Sequence, residues 1–559
     1  MPQVPCIPRR YGLCYSLEHP SRVAASIYLI NPRSDAPFYF GTEVHAAWGF
    51  GPTLLLADAA IATVAAMAPP DFAVTVCDEA LSPVDFDTAA DFVGITGKIS
   101  QETRMIEIAR EFRRRGKIVI FGGPYASLSP GRLRGECDIL VQGELENIAG
   151  KFFSDLRSGS WQREYFGDKP DLRESPIPRW DLYPNHRALS GTLQTSRGCP
   201  FECEFCDVIQ YLGRKQRHKS PEQVLAELDE LYRIGYRIVF LADDNLTVFR
   251  ARAKELLRAI RDWNDSRTEG RVSFSTQVSI DCARDNEMLK LCSEAGLATV
   301  YVGIETPNAD SLKETKKRQN IGVDMAETLA RFCANGIMVS GGMMLGFDSD
   351  TRDIFEQQYE FGMSLPVPMF MVTPLSAPMA TPLYARLLAE NRLVEHRKES
   401  APVLPWSTNI IPKQMTYDEL VAGVRWLCNR LYRPAAFERR VARFIDQYQA
   451  PEPRRNSRLQ NAAPQREVDA QRLELARHVT RLGPAEAAMA GRLQTRLMRK
   501  PSALPLVLLA MGYYMQVRHM YQTSGLWDPA LGEQPRPVFE AREKMPPLVP
   551  VPSPVFSIL

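Results

Sequence analysis

The chain has 559 residues, of which 45% are hydrophobic and 24% charged, with a formal net charge of +2. Such a length suits about three to four domains. The near-neutral balance excludes bulk attraction to nucleic acid or to an anionic membrane as the main business of the protein.

Met1 to Ser21 lacks the continuous apolar core of a secretory signal. From residue 26 to about 156 short apolar runs alternate with helical patterns. Strands are expected at Ile27–Ile30, Phe72–Val76, Phe92–Thr96, Ile118–Phe121 and Ile139–Val141, and helices near Pro52–Met67, Gln101–Arg115 and Leu145–Leu156. Alternation of this kind predicts an open, mostly parallel α/β sheet, here assigned to residues 1–156. Ligands of such sheets sit beyond the carboxyl ends of the strands, where the sequence offers Asn31-Pro32, Thr96-Gly97-Lys98 and Gly122-Gly123-Pro124, the last of which reads equally as a turn. No G-x-G-x-x-G is present, so a dinucleotide is disfavoured. Residues 157–190, rich in proline, read as an extended linker.

Directly after the short run Thr192–Thr195, Cys199, Cys203 and Cys206 stand in C-x-x-x-C-x-x-C spacing. Three thiolates on one loop can hold three irons of a 4Fe-4S cubane and leave the fourth open, whereas an electron-transfer cluster normally takes four. Zinc is the alternative, but the nearest further ligand, His218, lies beyond the cationic residues Arg214, Lys215 and Arg217, not in a second paired knuckle. The other cysteines, Cys6, Cys14, Cys77, Cys137, Cys282, Cys292, Cys333 and Cys428, form no close pairs, as in a reducing cytoplasm.

A second βα series occupies residues 191–384. Ser220-Pro221-Glu222-Gln223 opens a helix with N-cap, first-turn proline and capping-box glutamine. Further strands are expected at Ile238–Leu241, Ser273–Ile280, Thr299–Val302, Met338–Leu345 and Phe370–Thr373, making six βα units, a partial barrel. Barrel chemistry collects at the carboxyl ends of strands, where Asp243, Asp244, Asn245, Gln277, Ser279, Gly303, Glu305 and Gly346 lie. Asp243 and Asp244 read equally as caps of a following helix.

After Tyr384 the chain turns helical and arginine-rich, and residues 385–540 are expected as a helical domain. Tyr417–Phe437 has helical apolar spacing, 449–465 reads as an exposed loop, and Arg439-Arg440 and Arg454-Arg455 read as solvated helix faces. The run Leu504–Met511, interrupted by Pro505, is too short to span a bilayer and reads as a buried helix, with membrane-surface contact as the alternative. Residues 541–559 form a proline-rich tail.

The cysteine triplet, with Phe205 before its last member, resembles the radical SAM superfamily. On that resemblance Cys199, Cys203 and Cys206 ligate the cluster, whose open iron chelates S-adenosylmethionine, and Glu305 in its Gly-Ile-Glu context takes the ribose. The sheet domain before it, with Gly122-Gly123-Pro124-Tyr125-Ala126 and Gln142-Gly143-Glu144-Leu145-Glu146, resembles the cobalamin-binding domain of cobalamin-dependent radical SAM enzymes, although the D-x-H-x-x-G motif is absent. A Rossmann-like domain without a corrin is the other reading. The helical C-terminal region resembles that of the hopanoid C-2 methylase type. The resemblance implies a cytoplasmic enzyme that generates a 5′-deoxyadenosyl radical and methylates an unactivated carbon of a small or lipid-like molecule, fed by an electron donor such as flavodoxin or ferredoxin. Radical cyclisation, rearrangement or oxidation, and a non-catalytic sensor, are the alternatives.

Overall fold

A computed structural model describes residues 25–50, 53–394, 406–452, 474–475 and 477–539. The first sheet contains β1 (Ala25–Asn31), β2 (Phe72–Asp78), β3 (Phe92–Thr96), β4 (Ile118–Gly122), β5 (Ile139–Gln142) and β6 (Glu164–Phe166). All neighbours are parallel, in the order β2-β1-β3-β4-β5-β6. The inner strands β1, β3, β4 and β5 are largely apolar runs buried on both faces, the pattern of a sheet covered by helices on each side, whereas the edge strands β2 and β6 are partly exposed. One cover is the helix Glu102–Arg114, which buries Met105, Ile108, Ala109 and Phe112 along a single stripe. Strand order reverses between β1 and β3, so the crevice for a ligand opens beyond Asn31 and Thr96. β6 comes from the stretch expected to be a linker. It is short, polar at Glu164 and on the sheet edge, and so carries little hydrophobic signal.

The second sheet is built from β7 (Gly191–Leu193), β10 (Ile238–Leu241), β11 (Ser273–Gln277), β12 (Leu297–Glu305), β13 (Met338–Leu345) and β14 (Met369–Pro374). Between β7 and β10, β8 (Ser196–Arg197) and β9 (Arg217–His218) form a two-stranded antiparallel ribbon. The sheet runs β14-β13-β12-β11-β10-β7, entirely parallel, as the six-unit partial barrel expected. The predicted capping box is formed: Ser220 Oγ accepts from Gln223 N, and Gln223 Oε1 accepts from Ser220 N.

An incomplete barrel leaves unpaired backbone groups on its edge strands. On β14 two buried tyrosines satisfy them. Tyr39 Oη accepts from Val372 N (3.2 Å) and donates to Val372 O (2.8 Å), and Tyr432 Oη does the same at Phe370 (3.1 and 2.6 Å). Tyr432 comes from the helix Tyr417–Tyr432, and Tyr39 meets Tyr521 of the helix Leu504–Thr523 at 2.8 Å. The C-terminal helices thus close one barrel edge. No helix among the described residues is long and apolar enough to cross a membrane, and Pro505 sits in the first turn of the helix it had seemed to interrupt.

Two readings are corrected here. The pattern Tyr417–Phe437 is two helices, split at Arg433 because Pro434 opens the second, Pro434–Gln447. Arg440 is fully buried, not solvated: its guanidinium donates to Leu431 O (2.8 Å) and Pro368 O (3.3 Å) and lies near the Phe370, Tyr432 and Phe437 rings. The loop 449–465 from residue 453 onward, with Arg454-Arg455, and the tail 541–559 lie outside the described residues.

Candidate functional site

The cysteine loop joins the β8–β9 ribbon to the short helix Val208–Tyr211. Gly198 starts it at φ +99°, where a side chain would meet Lys215 O at 2.8 Å, and its N–H donates to Asp244 Oδ2 at 2.9 Å. The loop is strapped on both sides, by Cys199 N to Gly213 O (3.2 Å) and by Glu204 N to Thr315 O (3.1 Å). Backbone amides of Phe201 and Val208 face the Cys199 and Cys206 sulfurs, and Gln319 Nε2 is 3.9 Å from Cys203 Sγ. Gln319 Oε1 is buried without a partner, as expected beside a group that the protein atoms do not supply. Burial raises the Cys199 thiol and pushes Cys206 up to about 12, so bare thiolates are costly here. Iron offsets that cost, because a coordinating thiol is deprotonated by the metal. Among the described residues no three His, Cys, Asp or Glu side chains converge closely enough for one ion. Three cysteines on one loop suit a cluster in which each thiolate takes its own iron, and the partnerless Gln319 Oε1 beside Cys203 fits that group.

Glu305 ends β12. The β12–β13 register shifts between Gly303 and Glu305, and Glu305 itself sits at φ +66°, left-handed for a residue with a side chain. A bulge with strained backbone at a strand end re-aims a side chain. Gln358 Nε2 holds the distortion by donating to Glu305 O (2.7 Å) and Met344 O (3.0 Å). Glu305 Oε1 meets Lys317 Nζ at 2.6 Å, both nearly buried, while Oε2 makes no hydrogen bond among the described residues. Burial alone would lower the Lys317 ammonium, but Glu305 and the Cys203 and Cys206 thiols hold it above its ordinary value. Gly303 matters because a side chain there would strike Glu305 Oε1 and lie 2.7 Å from Lys317 Nζ. A carboxylate oxygen with no hydrogen bond among the described residues can accept one from a hydroxyl.

The other expected strand-end residues divide. Asp243 is fully buried and committed to the protein: it accepts from Thr195 N (3.4 Å), Thr195 Oγ1 (2.8 Å) and Ser196 Oγ, and burial raises its carboxyl to about 6. Neither Asp243 nor Asp244 caps a helix; both brace the backbone leading into the cysteines. Asn245 Nδ2 donates to Ser279 Oγ (3.0 Å), and Gln277 O accepts from Leu246 N (3.1 Å). Gly346, at φ +98°, faces Leu420 of the helix Tyr417–Tyr432, 2.7 Å from where its Cβ would be, so a side chain there would collide with the C-terminal helix.

In the first sheet the expected cradle is largely self-occupied. Side chains at Gly97, Gly123 and Gly143 would strike Met105 Sδ, Thr96 Oγ1 and Gly167 O. Gly122 has ordinary space, and Pro124 opens the helix Gly123–Leu128. Glu144 is engaged by the protein: it pairs with Arg197 and Arg217 at 2.5 Å each, and Glu146 adds a contact to Arg197 at 2.7 Å. These pairs tie the carboxyl edge of the first sheet to the ribbon that presents the cysteines. Ile99 (36% exposed) stands uncovered three residues after β3, whereas Phe38 (45%), seven residues after β1, has its carbonyl bonded to Gln516 Nε2 of the helix Leu504–Thr523 at 3.0 Å. Sequence reasoning missed Lys317, Gln319, Gln358 and Arg197. A Lys316-Lys317-Arg318 run does not reveal which cation turns inward; the left-handed Lys316 (φ +59°) accompanies that turn.

The radical SAM superfamily model matches residues 193–361, and a family described only as a domain of unknown function matches 381–524. The hopanoid C-2 methylase of Rhodopseudomonas palustris is 32% identical over 387 residues, 67% of this chain and 71% of that protein. The chain belongs to the radical SAM superfamily. An uncharacterized methyltransferase of Synechocystis is 34% identical over 354 residues, 62% of this chain and 66% of its own length, just short of two thirds. Among solved structures, the cobalamin-dependent S-adenosylmethionine radical enzyme OxsB with aqua-cobalamin bound superposes with a TM-score of 0.56 at 15% identity, over 89% of this chain and 80% of that one. This last likeness shows the shared fold, sheet domain, barrel and helices together. As a radical SAM protein the chain is an enzyme whose superfamily uses a 4Fe-4S cluster and S-adenosylmethionine.

Proposed function

We propose that this radical SAM enzyme is a cobalamin-dependent methyltransferase acting on an unactivated carbon of a small or lipid-like molecule. The observation that carries the reading is the docking of the first sheet's carboxyl edge, through Glu144 and Glu146, onto Arg197 beside the cysteine loop. Relatives named as methylases support it, the hopanoid C-2 methylase foremost.

When bound, the cluster supplies the electron that cleaves S-adenosylmethionine, and a corrin carries the methyl group. The chain's own residues do the holding. Cys199, Cys203 and Cys206 hold three irons. Glu305 Oε2 takes a ribose hydroxyl while Lys317 fixes the carboxylate from its other oxygen. Asp244 and Gly198 set the loop's entry angle. Phe205, Met344, Phe347 and Tyr384 contribute to an apolar cluster on the cysteine-loop side of the barrel, which keeps water from a reactive carbon radical. A corrin would be held by the first sheet domain, whose carboxyl edge Glu144 and Glu146 dock onto Arg197. A low-potential carrier protein of the flavodoxin or ferredoxin kind provides the electrons.

The test is iron and cobalt per chain in protein purified without oxygen from cells given hydroxocobalamin, followed by tracing deuterium from S-adenosyl-[methyl-²H₃]methionine into extracts of the source cell. About four irons and one cobalt with a deuterated-methyl product are expected. Iron without cobalt, and no label transfer, would instead favour radical cyclisation or rearrangement.

A further inference from the structure

Throughout the described structure arginines are mostly paired: on the helix Glu102–Arg114 and its flank, Arg104, Arg110, Arg114 and Arg115 each hold a carboxylate. The face around the cysteine loop departs from this. Lys169, Lys215, Lys316 and Arg318 are exposed and make no ion pair among the described residues. Three separate segments bring them to the loop. Cys199 N bonds Gly213 O, two residues before Lys215, and a side chain at Gly213 would lie 2.6 Å from Lys169 Cε. Glu204 N bonds Thr315 O, the residue before Lys316, and Lys317 lies 6.0 Å above the Phe205 ring.

The carboxylates of this face are already engaged or turned in. Glu202 holds Arg214 at 2.7 Å, Glu204 holds Arg386 at 2.8 Å and Asp310 holds Lys313 at 2.8 Å. Asp168, exposed and bonded to the Lys169 amide at 2.7 Å, still counts against the cations, and Asp207 is half-buried within the loop, but the four unpaired cations outnumber these two carboxylates. In a chain of net charge +2 the excess positive charge at this loop is local. The segments that carry Lys215 and Lys316 are the ones bonded to the backbone of the cysteine loop, at Cys199 N and Glu204 N.

We infer that the rim of Lys169, Lys215, Lys316 and Arg318 docks an acidic one-electron carrier protein of the flavodoxin class, which loses one electron as the cluster gains one. The inference rests on the radical SAM chemistry above and adds where and how reductant arrives. Opposed charge concentrates the carrier over the cluster and speeds encounter, an effect that salt screens.

The test compares wild type with the Lys169→Glu/Lys215→Glu/Arg318→Glu variant, measuring 5′-deoxyadenosine formation driven by flavodoxin with its reductase and, separately, by dithionite. The variant should match wild type in iron content and with dithionite, while its KM for flavodoxin rises about tenfold or more and the wild-type rate with flavodoxin falls steeply with added salt. An unchanged KM, a salt-independent rate, or no reduction of wild type by flavodoxin would overturn the docking surface alone. No 5′-deoxyadenosine from wild type with dithionite would instead overturn the radical SAM chemistry, and the docking surface with it.

Discussion

Glu144 of the first sheet grips two arginines of the barrel domain, Arg197 and Arg217, at 2.5 Å each, with the three side chains nearly excluded from solvent. One carboxylate therefore joins the proposed corrin domain to the ribbon that launches the cysteine loop. Removing one member of a buried pair strands its partners without compensation, at a cost of about 3–5 kcal/mol. Glu144→Ala should lower unfolding stability by roughly that amount, measured by urea denaturation, and Glu144→Gln by less. An unchanged midpoint would mean that the domains are joined elsewhere.

The bulged end of β12 makes a sharper prediction about S-adenosylmethionine. Glu305→Gln keeps the shape but gives up the charge that pairs with Lys317, and Gly303→Ala crowds both groups. Both variants should retain wild-type iron while binding S-adenosylmethionine about tenfold or more weakly, a loss of roughly 1.4 kcal/mol. Calorimetric titration would read it; unchanged affinity in both variants would leave Glu305 a structural ion pair.

Gly346→Ala should behave in the opposite way. Its cost comes from φ +98° and the approach of Leu420, so stability should fall by about 1–3 kcal/mol with S-adenosylmethionine affinity preserved. Weakened affinity at wild-type stability would return Gly346 to the cofactor site.

Asp78 gives a pH signature. Burial raises its carboxyl to about 6, against hydrogen bonds from Asn31 Nδ2 (3.0 Å) and Tyr183 Oη (2.8 Å) that favour the anion. A raised folded-state value means that the stabilisation is full below the unfolded value near 3.8 and is lost as pH rises through about 6. The stability of wild type minus that of Asp78→Asn should therefore fall between pH 4 and 7 by on the order of 3 kcal/mol. Denaturant titrations of both proteins across that range check it, and a difference independent of pH would refute the assignment.

Much of this arrangement is legible in the sequence because it is written in local signals. Phe92–Thr96, Ile238–Leu241 and Met338–Leu345 are strands with the expected limits, and the Ser220 capping box forms as read. The cysteine spacing and the Gly-Ile-Glu context of Glu305 are visible in the sequence alone, and the roles proposed for them build on it. What stayed hidden depends on contacts distant in the chain: the Lys317 partner of Glu305, the Tyr39 hydroxyl on β14, and the pairing of Glu144 with Arg197 and Arg217. Arg440 was within reach, since it shares a helical stripe with Phe437, Val441 and Phe444, but charge outweighed periodicity in the reading.

The central claim is that Cys199, Cys203 and Cys206 hold the cluster that cleaves S-adenosylmethionine. The most direct test is chromatographic measurement of 5′-deoxyadenosine from anaerobically reconstituted protein with S-adenosylmethionine and dithionite, comparing wild type with the folded Cys199→Ala/Cys203→Ala/Cys206→Ala variant. The account predicts product from wild type and none above background from the variant; equal product from both, or none from an iron-loaded wild type, would contradict it.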